Sequence, residues 1–158
     1  MEVLPLAIVQ WLHIVAGAVW MSGSVICALV IYPMMVERPK ADARAMFDRM
    51  AKPMTLLVSA SGNLTPLLGI LRATVMGPIK SFSQLWESSY GITLSVAFAI
   101  SVLLAVKGAR TSRKIPAWLA GEGAIPKDVA SRIIRDSWIS VIGFIVVLGC
   151  MVLMRFGL

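Results

Sequence analysis

The first uninterrupted apolar stretch constrains the fold of this chain more than any other feature. It runs from Leu4 to Tyr32 and contains no charged residue. A helix of that length crosses the roughly 30 Å hydrocarbon core of a bilayer with some tilt. The competing interpretation is a cleavable signal peptide, but Glu2 stands where a basic segment is expected, and the stretch is too long. We therefore predict a retained transmembrane helix over residues 4–32.

The composition extends this interpretation to the whole chain. Hydrophobic residues make up 58% and charged residues 15% of the 158 residues, whereas soluble domains average roughly 45–50% and about 25%. The sequence therefore predicts an all-α integral membrane protein, a bundle of four transmembrane helices that forms a single membrane domain over 1–158. Besides 4–32, the predicted spans cover about 54–75, 90–106 and 137–155.

Basic residues concentrate in two polar segments between the predicted spans, 34–53 and 107–136. These segments hold five and seven Lys and Arg, and the rest of the chain holds only Arg72, Lys80 and Arg155. The positive-inside rule then makes both segments cytoplasmic loops and puts both termini on the non-cytoplasmic side. Within the loops, the sequence predicts a short amphipathic helix over 41–50 and a surface helix over 126–136. The net charge of +7 is thus a topology signal and not a sign of nucleic-acid binding. The expected location is the bacterial cytoplasmic (inner) membrane.

The single histidine of the chain, His13, lies within the first predicted span. At helical spacing it shares one face with Gly17, Trp20 and Ser24. An ionisable side chain at membrane depth is costly and normally faces the interior of a bundle, so a functional site is one hypothesis. The other is a neutral histidine that only hydrogen-bonds a neighbouring helix. Asn63, near the centre of the second span, is predicted to bond across helices.

Depth arithmetic at 1.5 Å per residue suggests partners for His13. Met151 in the fourth span falls at the same depth, and the three basic residues outside the loops lie above it on the outer side. A His/Met pair is an established axial ligation of haem iron, and arginines hold carboxylates through two parallel hydrogen bonds. We therefore expect a b-type haem site with His13 and Met151 as metal ligands and Trp20 and Gly17 nearby. Arg72 and Arg155 are the expected propionate partners. A second His13 from a homodimer is the alternative axial ligand.

Two other function classes are compatible with the same residues. Soft sulfur ligands with one imidazole suit Cu(I), which makes copper transport an alternative; these ligands are Met21, Cys27, Met34, Met35 and Cys150. A non-catalytic structural subunit of a larger membrane complex is the third possibility. Enzymatic chemistry has little support, because all eight carboxylates lie outside the spans and the sequence contains no phosphate-binding glycine motif and no zinc-ligand spacing.

The residues Trp11-Leu12-His13, then Trp20-Met21-Ser22-Gly23 and Tyr32-Pro33, carry a family resemblance. This segment resembles the first helix of the CopD-like copper-resistance membrane proteins and is similar to that of HemJ-type protoporphyrinogen oxidases. The resemblance implies a four-helix unit whose first-helix histidine binds a metal or haem b, and it extends to His13, Trp20 and Gly23. Residues 24–30 do not contain the Pro-Arg pair and further histidine of the HemJ type. The expected function is electron transfer or haem handling, as a homodimer or as an accessory subunit of a redox complex.

Overall fold

The computed structural model describes residues 3–157. Glu2 and the two ends of the predicted domain lie outside the described residues. Over the described range the chain is helical and contains no strand. In chain order its elements are α1 (Val3–Ile26), a π-helical turn (Cys27–Ile31), α2 (Tyr32–Val36), α3 (Lys40–Thr74), α4 (Gln84–Glu87), α5 (Ser89–Trp118) and α6 (Lys127–Arg155).

The predicted fold class is confirmed at the level of four long apolar helices. Among residues 3–157, four helical stretches are long and apolar enough to cross a membrane, with mean hydropathies between 1.5 and 2.4. They are Leu4–Val36, Lys40–Thr74, Ser89–Trp118 and Lys127–Arg155. Consecutive stretches pack side by side, and the last packs back on the first, so that α1 and α5 lie across one diagonal and α3 and α6 across the other.

The α1–α3 interface is built on glycines that come from both helices. The γ carbon of Thr65 lies 3.5 Å from where a Cβ on Gly17 would stand, and the matching distance from Val58 to Gly23 is 2.9 Å. On α3, Gly62 and Gly69 likewise leave room for side chains of α1, namely Trp20 and His13. Small residues let helix backbones approach closely, which is a main source of helix association in lipid.

Two clusters of buried side chains hold the bundle together. One, the midplane cluster, consists of Trp20, Leu104, Phe144 and Val147, with Met151 packed against it. The other, the end cluster, consists of Met35, Ala43, Ile115, Leu119 and Ile125 and lies where α2, α3, α5 and α6 meet at one end of the bundle. There, the Lys40 N–H donates to the Gly123 carbonyl over 2.9 Å, so the two basic segments lie at the same end.

The first helical stretch continues past the predicted end at Tyr32. Pro33 directly follows the predicted end but does not terminate the helix: it lies near the start of α2, and the stretch runs to Val36. In the preceding π-helical turn the Tyr32 N–H donates to the Cys27 carbonyl, five residues back. The wider turn changes the backbone hydrogen-bonding pattern just before the proline. The helix therefore continues although Pro33 has no N–H to donate.

The second span is likewise part of a longer helix. The separate amphipathic helix over 41–50 is a wrong prediction, because α3 runs without interruption from Lys40 and contains both Pro53 and Pro66. The alanines, methionines and basic residues before Pro53 are strong helix formers. Membrane helices also tolerate proline, since neighbouring groups can satisfy the freed carbonyl.

The second basic segment is also largely helical. We expected 107–136 to be a loop with its own surface helix over 126–136, but α5 continues to Trp118 and α6 begins at Lys127. Only residues 119–126 connect the two helices. Polar residues on either side of an apolar span therefore extend the span as helix instead of ending it, since a helix satisfies its own backbone groups in either medium.

Candidate functional site

His13 lies on the face of α1 that packs against α3, and its side chain is half-buried. Its Nδ1 donates to the Thr65 backbone carbonyl over 2.9 Å. Gly69 makes this approach possible, because a Cβ at that position would lie 3.1 Å from His13 Cε1. The imidazole therefore occupies a notch in α3 at Gly69, where an added Cβ would force the ring to shift by a few tenths of an ångström.

This hydrogen bond decides what the other ring nitrogen can do. A neutral imidazole carries one N–H donor and one acceptor nitrogen. With Nδ1 as the donor to Thr65, the proton is on Nδ1, and Nε2 keeps a free lone pair. Histidines that bind metals usually show this pattern, in which the non-ligating N–H is held by a carbonyl or a carboxylate.

Gly17 and Trp20 also belong to the α1–α3 interface, as their spacing from His13 predicts. Trp20 is 5% exposed and lies over Gly62, where a Cβ would stand 2.8 Å from its Nε1. On its other side the indole meets the Phe144 ring edge-on, with ring centroids 5.0 Å apart. Trp20 therefore connects α1, α3 and α6.

The three basic residues outside the basic segments have different surroundings. Arg72 is half-buried and donates from Nε to Gln10 Oε1 over 3.1 Å, about one helical turn from the His13–Gly69 contact. Lys80 Nζ donates to the Thr74 and Val75 carbonyls over 3.2 and 3.3 Å and so caps the end of α3. Arg155 is exposed in the last turn of α6. Of the three, Arg72 is the one that the structure places beside His13.

Met151 lies on α6, and its half-buried side chain packs against the midplane cluster. The structure thus brings together His13, Gly17, Trp20 and Arg72 along the α1–α3 interface, whereas Met151 belongs to the neighbouring cluster.

The predicted copper ligands are spread along the first helical stretch. Cys27 lies fourteen residues after His13, which is about 21 Å along a helix, and Met34 and Met35 lie further still. Cys150 is buried on α6. Within residues 3–157, no group of three His, Cys, Asp or Glu side chains is arranged to hold a metal ion. Cys27, Met34 and Met35 therefore lie too far along the helix from His13 to share one metal ion with it within a single chain.

A second feature was missed by sequence reasoning: a cleft of about 400 Å³ between the four long helical stretches. We call it the central cleft. It lies in the half of the bundle nearer the basic segments, and His13 is not among its lining residues. Asn63 lines the central cleft and is exposed. Among the described side chains, Asn63 makes no hydrogen bond to another helix, so the predicted bond across helices is wrong.

Lys107 lines the central cleft, as do the charged residues Arg113 and Asp136. Its Nζ donates to the Asp136 backbone carbonyl and to Ser140 Oγ, the latter over 3.2 Å. The sequence interpretation counted Lys107 only as the first basic residue of a loop. The signal that was available is its position: it directly follows an uncharged span and therefore lies on the same helix as that span.

Comparison with known proteins adds no relative, because no family model, no curated protein and no solved structure matches this chain.

Proposed function

We propose that this chain is a small integral membrane b-type haem protein in which His13 is an axial ligand of the iron through Nε2. The observation that carries the proposal is the 2.9 Å hydrogen bond from His13 Nδ1 to the Thr65 carbonyl. It fixes the tautomer that leaves Nε2 as the ligating atom, and it holds the ring plane against α3.

The neighbours of His13 suit a haem group. Arg72 is about one helical turn away, and Gln10 Oε1 accepts from its Nε, which leaves the terminal guanidinium nitrogens as further donors for a propionate. Met151, or His13 from a second copy of the chain, would supply the other axial ligand. Haem b, when bound, supplies a one-electron iron couple. The proposed role is therefore electron transfer or haem handling, in a homodimer or as an accessory subunit of a redox complex.

A second candidate function is a structural membrane subunit without cofactor. It is favoured by a specific observation: His13, Gly17, Trp20 and Arg72 all make contacts that join α1 to α3 or α6. Under this alternative, the histidine serves only as a hydrogen-bond donor between two helices.

Two substitutions at one position separate these functions. His13→Gln keeps an N–H donor for Thr65 but removes the imidazole, and His13→Ala removes both. Ile14→Ala is the matched control, since Ile14 is 56% exposed on the same helix. After haem-replete expression, we expect the purified wild type and the Ile14 variant to show a Soret band and a pyridine haemochrome of haem b. Both His13 variants should have lost them.

The result against haem binding would be equally clear. If the wild type carries no haem, or if His13→Gln retains the same spectrum, His13 is not a haem ligand. Loss of stability in His13→Ala together with its recovery in His13→Gln would then support the structural function. A changed ferric spectrum in Met151→Leu would identify the second ligand, and an unchanged one would favour a shared haem between two copies.

We further propose that both termini face the non-cytoplasmic side of a bacterial inner membrane. Support comes from the twelve basic residues in the two segments that meet at one end of the bundle, against three elsewhere. In a chain without its native cysteines, an impermeant maleimide should label Phe82→Cys in intact spheroplasts. Lys114→Cys should react only after permeabilisation. The reverse labelling order would refute this orientation.

A further inference from the structure

The central cleft has two chemically different ends. The end farther from the basic segments is apolar and is formed by Trp20, Leu104 and Phe144 of the midplane cluster. The end nearer the basic segments is polar and contains Lys107, Arg113, Asp136, Ser137 and Ser140. A volume of about 400 Å³ falls within the range of roughly 300–1,000 Å³ that is typical of sites for small ligands. A ligand that fits both ends is an amphiphile.

The polar end is lined by two basic residues, Lys107 and Arg113, and one acidic residue, Asp136, so its lining is net positive, and among residues 3–157 Lys107 forms no ion pair there. Lys107 Nζ donates to a carbonyl and a hydroxyl, which are both neutral acceptors. The salt bridges within residues 3–157 join Arg44 to Asp48 and Arg135 to Asp136 and do not include Lys107. An ammonium has three donors, so one N–H of Lys107 remains for an anion, which the net positive lining of Lys107, Arg113 and Asp136 favours.

The cleft is open on the side of α3. Thr55 and Ser59 line the cleft and are nevertheless exposed. Another wall is the π-helical turn, which contributes Cys27, Ala28 and Ile31. Single π-helical turns within longer helices are frequent at functional sites, because they displace the backbone locally. The cleft is therefore accessible from the outside of the bundle along α3.

We propose that the central cleft binds one anionic phospholipid, with its phosphate at Lys107 and the start of an acyl chain along Trp20 and Phe144. The charge selects an anionic over a zwitterionic head group, since a zwitterion brings its own ammonium to the site. The apolar end and the side opening favour a lipid over a free phosphate ion. The proposal does not rest on the proposed haem site, because His13 is not among the lining residues.

The test measures which lipid the full chain retains. The protein is reconstituted in vesicles of equal parts phosphatidylglycerol and phosphatidylcholine, extracted in mild detergent and analysed by native mass spectrometry. We expect one phosphatidylglycerol per chain and little phosphatidylcholine. Lys107→Met should lower this retention roughly ten- to a hundredfold, the loss expected for one hydrogen bond to a charged group. Lys107→Arg should restore most of it.

Two matched controls separate the site from the general basic surface and from folding defects. Lys114→Met removes an exposed charge from the same helix outside the cleft and should leave retention unchanged. Gly108→Leu fills the cleft, and a Cβ at Gly108 meets nothing within 4 Å, so the helix itself is not disturbed. It should displace the lipid, while Gly149→Leu, which is equally uncrowded and outside the cleft, should not.

Three results would overturn the proposal. The first is equal retention in Lys107→Met and Lys114→Met, which would make the charge irrelevant. The second is retention of phosphatidylcholine as strong as that of phosphatidylglycerol. The third is displacement of the lipid by inorganic phosphate at concentrations at which chloride has no effect, which would assign the site to a free phosphate ion.

Discussion

Gly62→Ala tests the α1–α3 interface at its most crowded point. A Cβ added at Gly62 would lie 2.8, 3.0 and 3.1 Å from three atoms of the Trp20 indole. The ring cannot move aside freely, since it is 5% exposed and packs edge-on against Phe144. Forcing one carbon into a well-packed contact typically costs about 1–3 kcal/mol.

The gain in helix propensity must be separated from this cost. Replacing glycine by alanine inside a helix stabilises it by up to about 1 kcal/mol. Gly149→Ala, on α6, shows this gain alone, because a Cβ there meets nothing within 4 Å. We therefore expect Gly149→Ala to raise the free energy of unfolding slightly. Gly62→Ala should be less stable than Gly149→Ala by about 1–3 kcal/mol.

The assay is equilibrium unfolding by increasing mole fractions of SDS in dodecyl maltoside micelles, followed by far-ultraviolet circular dichroism. Gly143→Ala gives an intermediate case, because its Cβ would meet the δ carbons of Leu104 at 2.9 and 3.3 Å, the flexible end of a side chain. Trp20→Leu in the Gly62→Ala background should cancel the steric cost. Equal stability of Gly62→Ala and Gly149→Ala would refute the close packing of Trp20 on α3.

Two further predictions concern side chains on either side of this interface. Gln10→Leu removes the acceptor for Arg72 Nε and should lower the free energy of unfolding by about 1–2 kcal/mol in the same SDS titration. Gln10→Glu keeps an acceptor and should not lower it. Equal losses in both variants would contradict the hydrogen bond between Gln10 and Arg72. In detergent, Cys27, which lines the central cleft, should react with a maleimide faster than the buried Cys150; equal rates would mean that the cleft is closed to solutes.

The sequence predicts the helical class and the four apolar stretches because both follow from local properties. An uncharged stretch such as Leu4–Tyr32 has few alternatives to a helix in a bilayer. The helix ends were predicted less well: the predicted spans end before Pro33 and begin after Pro53, whereas the helices continue through both prolines. Pro53 and Pro66 lie inside α3, and the factors that decide this are packing and the medium, which are not local.

For the candidate site, the spacing of His13, Gly17 and Trp20 correctly placed all three on one helix face. Their partners Thr65 and Gly69 were not predictable, because the register between α1 and α3 depends on how side chains fit notches on a distant part of the chain. Lys107 shows the same limit. Its charge is evident in the sequence, but its proximity to Ser140 on α6 is a property of the folded bundle.

The end cluster has a consequence for how the bundle is assembled. Between helices in lipid, apolar contact gains nothing from the release of water, because the hydrocarbon chains are as apolar as the side chains. Ala43, which is 0% exposed, and Ile115, at 3%, lie near the helix ends beside the basic segments. In water, such a cluster is stabilised by the hydrophobic effect as in a soluble domain. A cluster of this kind outside the bilayer would weaken on cooling, whereas helix contacts within lipid would not depend on water in this way.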